Sequence, residues 1–201
     1  MLLPITLIRH GITPANQERR YVGRSSDPSL AAEGRRQLED YKSRGRYPQA
    51  DALYVSPLLR CRETAHLLYP MLVPVVLESL TELDFGTFEG KNYDQLKDDP
   101  AYRRWIDTGG MAAPPDGESG ADFCRRLEGA MRQIAEDTIR RSVRHPAVVT
   151  HGGCIMGILS SLAGEGPQEG RDFYEYQTSN GGGYSALLDT DTLRLSAIKP
   201  L

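Results

Sequence analysis

Four short apolar runs, Leu2 to Ile8, Ala52 to Val55, Val73 to Leu77 and Ala147 to Thr150, are spread along this chain with helical periodicity between them. That alternation constrains the fold more than any single motif. Strands joined through helices of a dozen or more residues pair in parallel, and such a sheet buries both of its faces. The expected fold class is α/β: three layers, a mostly parallel sheet with helices on both faces. Strand order does not follow from the sequence. Two last runs, Tyr184 to Leu188 and Leu193 to Ile198, flank Asp189-Thr190-Asp191-Thr192 and read as a closing hairpin. With 201 residues, the chain 1–201 is expected to form a single domain.

Periodicity and end signals place the helices. Leu30, Gly34, Leu38 and Tyr41 predict a helix reaching about Arg44, before Gly45. Ser56-Pro57 reads as a capping serine with proline in the first turn of a helix that ends near Tyr69-Pro70. Short helical pieces, Tyr93 to Lys97 and Ala101 to Ile106, lead into a Gly/Pro-rich loop at Gly109 to Gly117. Ser119-x-x-Asp122 has the spacing of a capping box, and Phe123, Leu127, Ala130, Ile134 and Thr138 carry the longest helix towards His145-Pro146. A further helix is expected from Cys154 to about Ala163, while Gly11 to Ser29 and Ser79 to Lys91 read as loops.

Composition excludes several classes. The chain is 39% hydrophobic and 25% charged, and no segment approaches the ~18 continuous apolar residues of a membrane span. The N-terminal run has no basic residues ahead of it and is interrupted by Pro4, so it reads as strand rather than leader. Three cysteines without close spacing suit a reducing compartment, and a cytoplasmic protein with no membrane partner is expected. A net charge of -3 and a pI near 5.8 disfavour a nucleic-acid surface, so any anion must be held by local charge. Whether the chain forms a homo-oligomer is left open.

In a parallel sheet the loops after the strands open on the carboxyl edge, where ligands bind. Those loops hold Arg9 and His10, Ser56 to Arg60, Thr81 to Glu89, and His151 with Gly152. Arg9 ends an apolar strand, where an unpaired charge is costly, and the guanidinium fork suits phosphate or carboxylate. Arg60 lies in the first turn of its helix, whose dipole favours an anion; alone, it reads more readily, with Arg62, as a solvated residue paired with Glu63. His10 and His151 share one local setting, strand before and glycine after. Metal ligation is disfavoured, because the arginines would repel a cation and no third ligand has zinc spacing. No metal and no cofactor are expected. Either Glu82 or Asp84, if facing the histidines, is placed to protonate a leaving oxygen. His66, mid-helix, and His145, at a helix C-terminus, are assigned to structure. Cys-x5-Arg, a Walker A loop and Gly-x-Ser-x-Gly are all absent.

Arg9-His10-Gly11 after an N-terminal strand, with Thr13 and Asn16 behind it, resembles the signature of the histidine phosphatase superfamily, the phosphoglycerate mutase-like fold. The likeness continues through Asp27, Leu30, Gly34 and Gln37, then Ser56-Pro57-x-x-Arg60-x-x-x-Thr64-Ala65 and Leu80-x-Glu82-x-x-Phe85-Gly86-x-Phe88-Glu89-Gly90. Gly117-Glu118-Ser119, His151-Gly152-Gly153 and Asn180 complete it across essentially the whole chain. The resemblance implies that His10 is a nucleophile forming a phosphohistidine, that Arg9, Arg60 and His151 hold the phosphoryl oxygens, and that Glu82 donates a proton. Asn16, Thr13 and the Gly152 amide would add substrate contacts. The Phe85 to Gly90 segment is similar to the small phosphatase branch, which includes α-ribazole phosphatases, so the expectation is a metal-independent hydrolase of a small-molecule phosphomonoester. A cofactor-dependent phosphoglycerate mutase and a non-catalytic phospho-ligand module are the alternatives. Ile12, Ala31 and Phe88 depart from the usual pattern, with Ser29 left as an earlier cap for the first helix. Tyr21, together with residues 93–105 and 109–117, would cover the site and choose the alcohol.

Overall fold

Period-two alternation sorts the strand residues of this protein between two cores. The computed structural model describes residues 1–164 and 173–201. Strand β1 (Leu2–Arg9) sends Ile5 and Leu7 to one face of the sheet and Ile8 to the other. β2 (Ala52–Val55) divides Ala52 and Tyr54 from Leu53 and Val55 in the same way, and β4 (Pro146–Thr150) divides Val148 from Ala147 and Val149. Helices α2 (Ala32–Ser43) and α3 (Leu59–Leu68) cover one face through Leu38, Cys61, Ala65 and Leu68. The other face is covered by α6 (Gly120–Arg141) and α7 (Gly152–Leu162), packed through Leu127, Met131, Ile134, Ile155 and Leu159. The result is the expected three-layer α/β architecture.

The sheet has six strands in the order β3-β2-β4-β1-β5-β6, where β3 is Val75–Val76, β5 is Gly183–Asp189 and β6 is Leu195–Pro200. β3, β2, β4 and β1 are parallel; β5 runs antiparallel to β1, and β6 antiparallel to β5. β4, late in the chain, inserts between β1 and β2, and Arg9 stands in register with Thr150. The residues that follow, His10 and His151, therefore leave the same edge side by side.

Several boundaries differ from the sequence reading. β3 is two residues long rather than five, because Pro74 lacks an amide donor and Met71 and Val73 are exposed beyond the sheet edge. The loop after β1 contains a helical turn, α1 (Pro14–Gln17), closed by a capping box between Thr13 and Asn16. α2 starts after Ala31 with no side-chain cap, so Ser29 does not serve as one. α3 starts at Leu59, and Ser56 lies outside it. The two short helical pieces form close to their expected bounds, as α4 (Tyr93–Leu96) and α5 (Pro100–Asp107). At α6 only half of the expected box forms: the Ser119 hydroxyl accepts the Asp122 amide but donates to the Asp122 carboxylate. That helix stops at Arg141 with Ser142 left-handed, so His145 is not at its end; instead its Nε2 meets the Thr6 hydroxyl at 2.9 Å. α7 begins at Gly152, two residues before the expected start. Among the described residues no helix is long and apolar enough to cross a membrane.

Candidate active site

His10 and His151 meet edge to face, with ring centroids 5.3 Å apart. Both are buried, and neither ring is free to turn. His10 Nδ1 lies 2.7 Å from the Gly11 carbonyl, which can only accept, so Nδ1 carries the proton and Nε2 keeps a lone pair. The backbone that carries it is tied to β4 by the His10 amide to the Thr150 carbonyl. It is tied to α3 by the Gly11 amide to the Thr64 hydroxyl. His151 Nε2 pairs with the Ser56 hydroxyl at 2.8 Å, and Cys61 Sγ packs against the ring. Burial first, then the charges of Arg60 and Arg9, hold the pKa of His10 well below its usual value; the same causes act on His151. Both rings are thus neutral near pH 7.

Arg60 is fully buried and is not the solvated partner of Glu63, which pairs with Arg35 instead. Its guanidinium donates to the carbonyls of Ser26 at 2.7 Å and Gly23 at 3.0 Å, fixing the loop after α1. Arg9 donates to the Thr178 carbonyl at 2.6 Å. The Nε groups of both arginines are buried with no partner, so two charge-assisted donors remain unspent at this edge. A Cβ at Gly152 would stand 3.2 Å from the Arg9 guanidinium, which places the N-terminus of α7 against the same spot.

Glu82 follows a 3-10 turn, Glu78–Leu80, and its carboxylate accepts the Leu83 amide at 2.9 Å and the Gly153 amide at 3.0 Å. Burial raises its pKa against the opposing pull of those amides and of Arg60 and Arg9. Asp84, the other candidate acid, is taken up by a local turn, its carboxylate accepting the Gly86 amide. Of the two, Glu82 is the one drawn to the start of α7, within the fields of Arg60 and Arg9.

The remaining expected residues divide. Asn16 lies beside His10 because the Asn180 amide bridges the carbonyls of His10 and Gly11 and the Asn16 side-chain oxygen. That oxygen also accepts from Thr13, leaving the Asn16 amide nitrogen as the group it can offer. Thr13 is fully buried and its hydroxyl is committed to the α1 cap, so it positions Asn16 rather than facing the edge. Tyr21 is half-buried, paired through its hydroxyl with Tyr102 at 2.8 Å, and lines a neighbouring cavity.

Three supports were not visible in the sequence reading. Ser56, read as a helix cap, is the partner of His151, a bond spanning 95 positions. Arg126, on α6, donates to the Ser79 and Thr81 carbonyls and pairs with Glu118 at 2.6 Å, pinning the segment that carries Glu82. Glu89 accepts from the Gly23 amide and the Ser26 hydroxyl, holding the loop whose carbonyls Arg60 uses. The Glu118 and Glu89 positions within the family pattern were the available signal.

Beyond Glu82 and Gly153 opens a cavity of about 170 Å³, walled by Tyr21, Phe85, Trp105, Met111, Phe123 and Met156. Trp105 lies on α5. The edge and the cavity are adjacent because Glu82 belongs to both.

The geometry agrees with comparison to known proteins. Residues 5–185 match the model of the histidine phosphatase superfamily (branch 1). A Klebsiella pneumoniae (strain 342) protein named "Probable phosphoglycerate mutase GpmB" is 32% identical over 168 residues, covering 80% of this chain and 76% of its own length. The α-ribazole phosphatase from Shigella flexneri superposes with a TM-score of 0.80 at 26% identity, covering 96% of each chain. A phosphoglycerate mutase from Thermus thermophilus does so at 0.68 and 30%, covering 99% of each. With its family model matched over nearly its full length, and a histidine pair, two arginines and a glutamate at the edge where that fold places ligands, this chain belongs to branch 1 of the histidine phosphatase superfamily.

Proposed function

We propose that the protein is a metal-independent phosphomonoester hydrolase that works through a phosphohistidine on His10. The observation that carries the reading is the Nδ1–H of His10 held by the Gly11 carbonyl, which leaves a neutral Nε2 facing a cationic clamp. In the first step Nε2 attacks phosphorus as the ester P–O bond breaks, and the leaving oxygen takes a proton from Glu82. In the second, water attacks phosphorus and gives its proton to the Glu82 carboxylate; the P–N bond breaks, releasing orthophosphate and neutral His10. Arg9, Arg60 and His151 would hold the phosphoryl oxygens, with the Gly152 amide and Asn16 adding contacts, so charge growing on phosphorus meets fixed donors. The raised pKa of Glu82 supports its role as the acid.

The name of the Shigella flexneri relative supports α-ribazole phosphate as one candidate substrate. The names of the Klebsiella and Thermus relatives support a mutase as the second reading. The three thiols, all unpaired, support a reducing compartment such as the cytoplasm. Turnover of 4-nitrophenyl phosphate in the presence of a chelator, lost in His10→Ala, tests the hydrolase. Isomer interconversion of a phosphorylated sugar acid outrunning phosphate release, after priming by the bisphosphorylated form, would replace it with the mutase.

A further inference from the structure

The clamp determines what happens at phosphorus, but the alcohol has to leave past Glu82, and Glu82 and Gly153 form the near wall of the aromatic cavity. The chemistry of that cavity therefore selects the ester. Among its described lining residues there is no lysine, arginine or histidine, and the only carboxyl group is Glu82 itself. A carboxylate or second phosphate seated there would lose water without gaining a cation from the described walls, which is costly in an apolar site. A flat ring loses nothing of the kind. An apolar cavity of ~150 Å³ suffices to take up benzene, and this one is about 170 Å³.

One wall is a single indole. Trp105 is only 6% exposed, and its indole Nε1 is buried without a hydrogen-bond partner. Its ring is held by edge contacts with Tyr21, Phe85 and Phe88. The Nε1 edge faces Gly110, itself part of the cavity wall, and a Cβ there would stand 3.9 Å from Nε1.

We infer that the cavity beside Glu82 receives the alcohol of phosphomonoesters that are flat, apolar and uncharged beyond the phosphate. The inference rests on the hydrolase reading for its catalytic consequences but not for its binding test. Trp105 is the only tryptophan in the chain, so its fluorescence reports the cavity directly. Titration of the full chain with phenol is expected to change that emission saturably, and titration with glycerate is expected to leave it unchanged. Loss of this contrast overturns the inference whether or not any ester is hydrolysed, whereas absence of turnover with the contrast intact removes the hydrolase reading alone.

For turnover, kcat/KM for phenyl phosphate is expected to exceed that for 3-phosphoglycerate by roughly a hundredfold or more. Met156→Lys, which adds a cation to the wall, is expected to narrow that ratio at least tenfold. Equal kcat/KM for the aryl and carboxylate-bearing esters, or a ratio that Met156→Lys leaves unchanged, overturns it.

Discussion

The two ends of the site are built by different means. At the phosphate end, His10 and His151 leave adjacent parallel strands in register, and each ring is fixed by one strong partner. At the alcohol end, the wall is aromatic and aliphatic packing, drawn mostly from Tyr21 and the excursion between β3 and α6 and closed by α6 and α7. The first end is polar and over-determined; the second is apolar and made from connections, which tolerate change without disturbing the sheet. Changes at the phosphate end should therefore harm every substrate alike, and changes at the alcohol end should reorder substrates.

The largest expected effect is His10→Ala, which removes the nucleophile and should lower kcat on the order of 10⁴-fold or more on every ester tried. An effect that varied with the alcohol would blur the division between the two ends. Next is Glu82, the residue shared by both. Glu82→Gln should cost about 10²- to 10⁴-fold for alkyl esters and much less for 4-nitrophenyl phosphate, whose leaving group needs no proton. Gly153→Ala should follow it, because a Cβ there would lie 2.4 Å from a Glu82 carboxylate oxygen. Gly152→Ala should be milder, since its nearest neighbour is the Arg9 side chain at 3.2 Å, which can give way. Steady-state kinetics of the glycine pair against the same esters measures how tightly the shared acid is held.

Arg126→Ala should act on stability as well as rate. It leaves the largely buried Glu118 without its partner, a change that costs about 3 kcal/mol or more in buried pairs, readable as a lowered urea midpoint. Ser56→Ala, which leaves His151 without its hydroxyl partner, should cost about tenfold in kcat/KM for all esters.

The pH dependences carry opposite signs. His10 and His151 have lowered pKa values, so their contribution to stability is complete above about 6.5, the ordinary histidine value, and is lost as pH falls towards their folded values. Glu82 has a raised pKa, so its contribution is complete below the ordinary value of 4.5 and lost as pH rises through the folded one. Glu82→Gln should accordingly gain stability relative to wild type as pH rises from 4.5, by at most about 1.4 kcal/mol per pH unit. Urea titrations at pH 5 and pH 7 check it. In kcat the same group sets a basic limb that disappears in the variant.

The layers of the fold were legible because alternation within β1, β2 and β4, and helical period in α6, each report a local face. The histidine pair was legible because the two residues share one local setting. Their adjacency was not, since it depends on β4 inserting beside β1, a choice made by the whole sheet. Ser56 escapes a local reading for the same reason: Ser-Pro ahead of a helix is a cap signal, while its actual partner is 95 positions away. Arg126 sits on a long charged helix and resembles a solvated residue until Glu118 and the Ser79 and Thr81 carbonyls are brought against it. Thr13 enters as a site residue through the family likeness alone, which does not show that its hydroxyl closes a capping box with Asn16.

The central claim is that His10 carries the phosphoryl group. Rapid quench of the full chain into alkali during turnover of a ³²P-labelled aryl phosphate, followed by peptide mapping, tests it most directly. The expected result is an acid-labile, alkali-stable label on His10 that forms and decays at rates consistent with turnover and is absent from His10→Ala. Turnover with no labelled enzyme at any time, or a label on another residue, would contradict it.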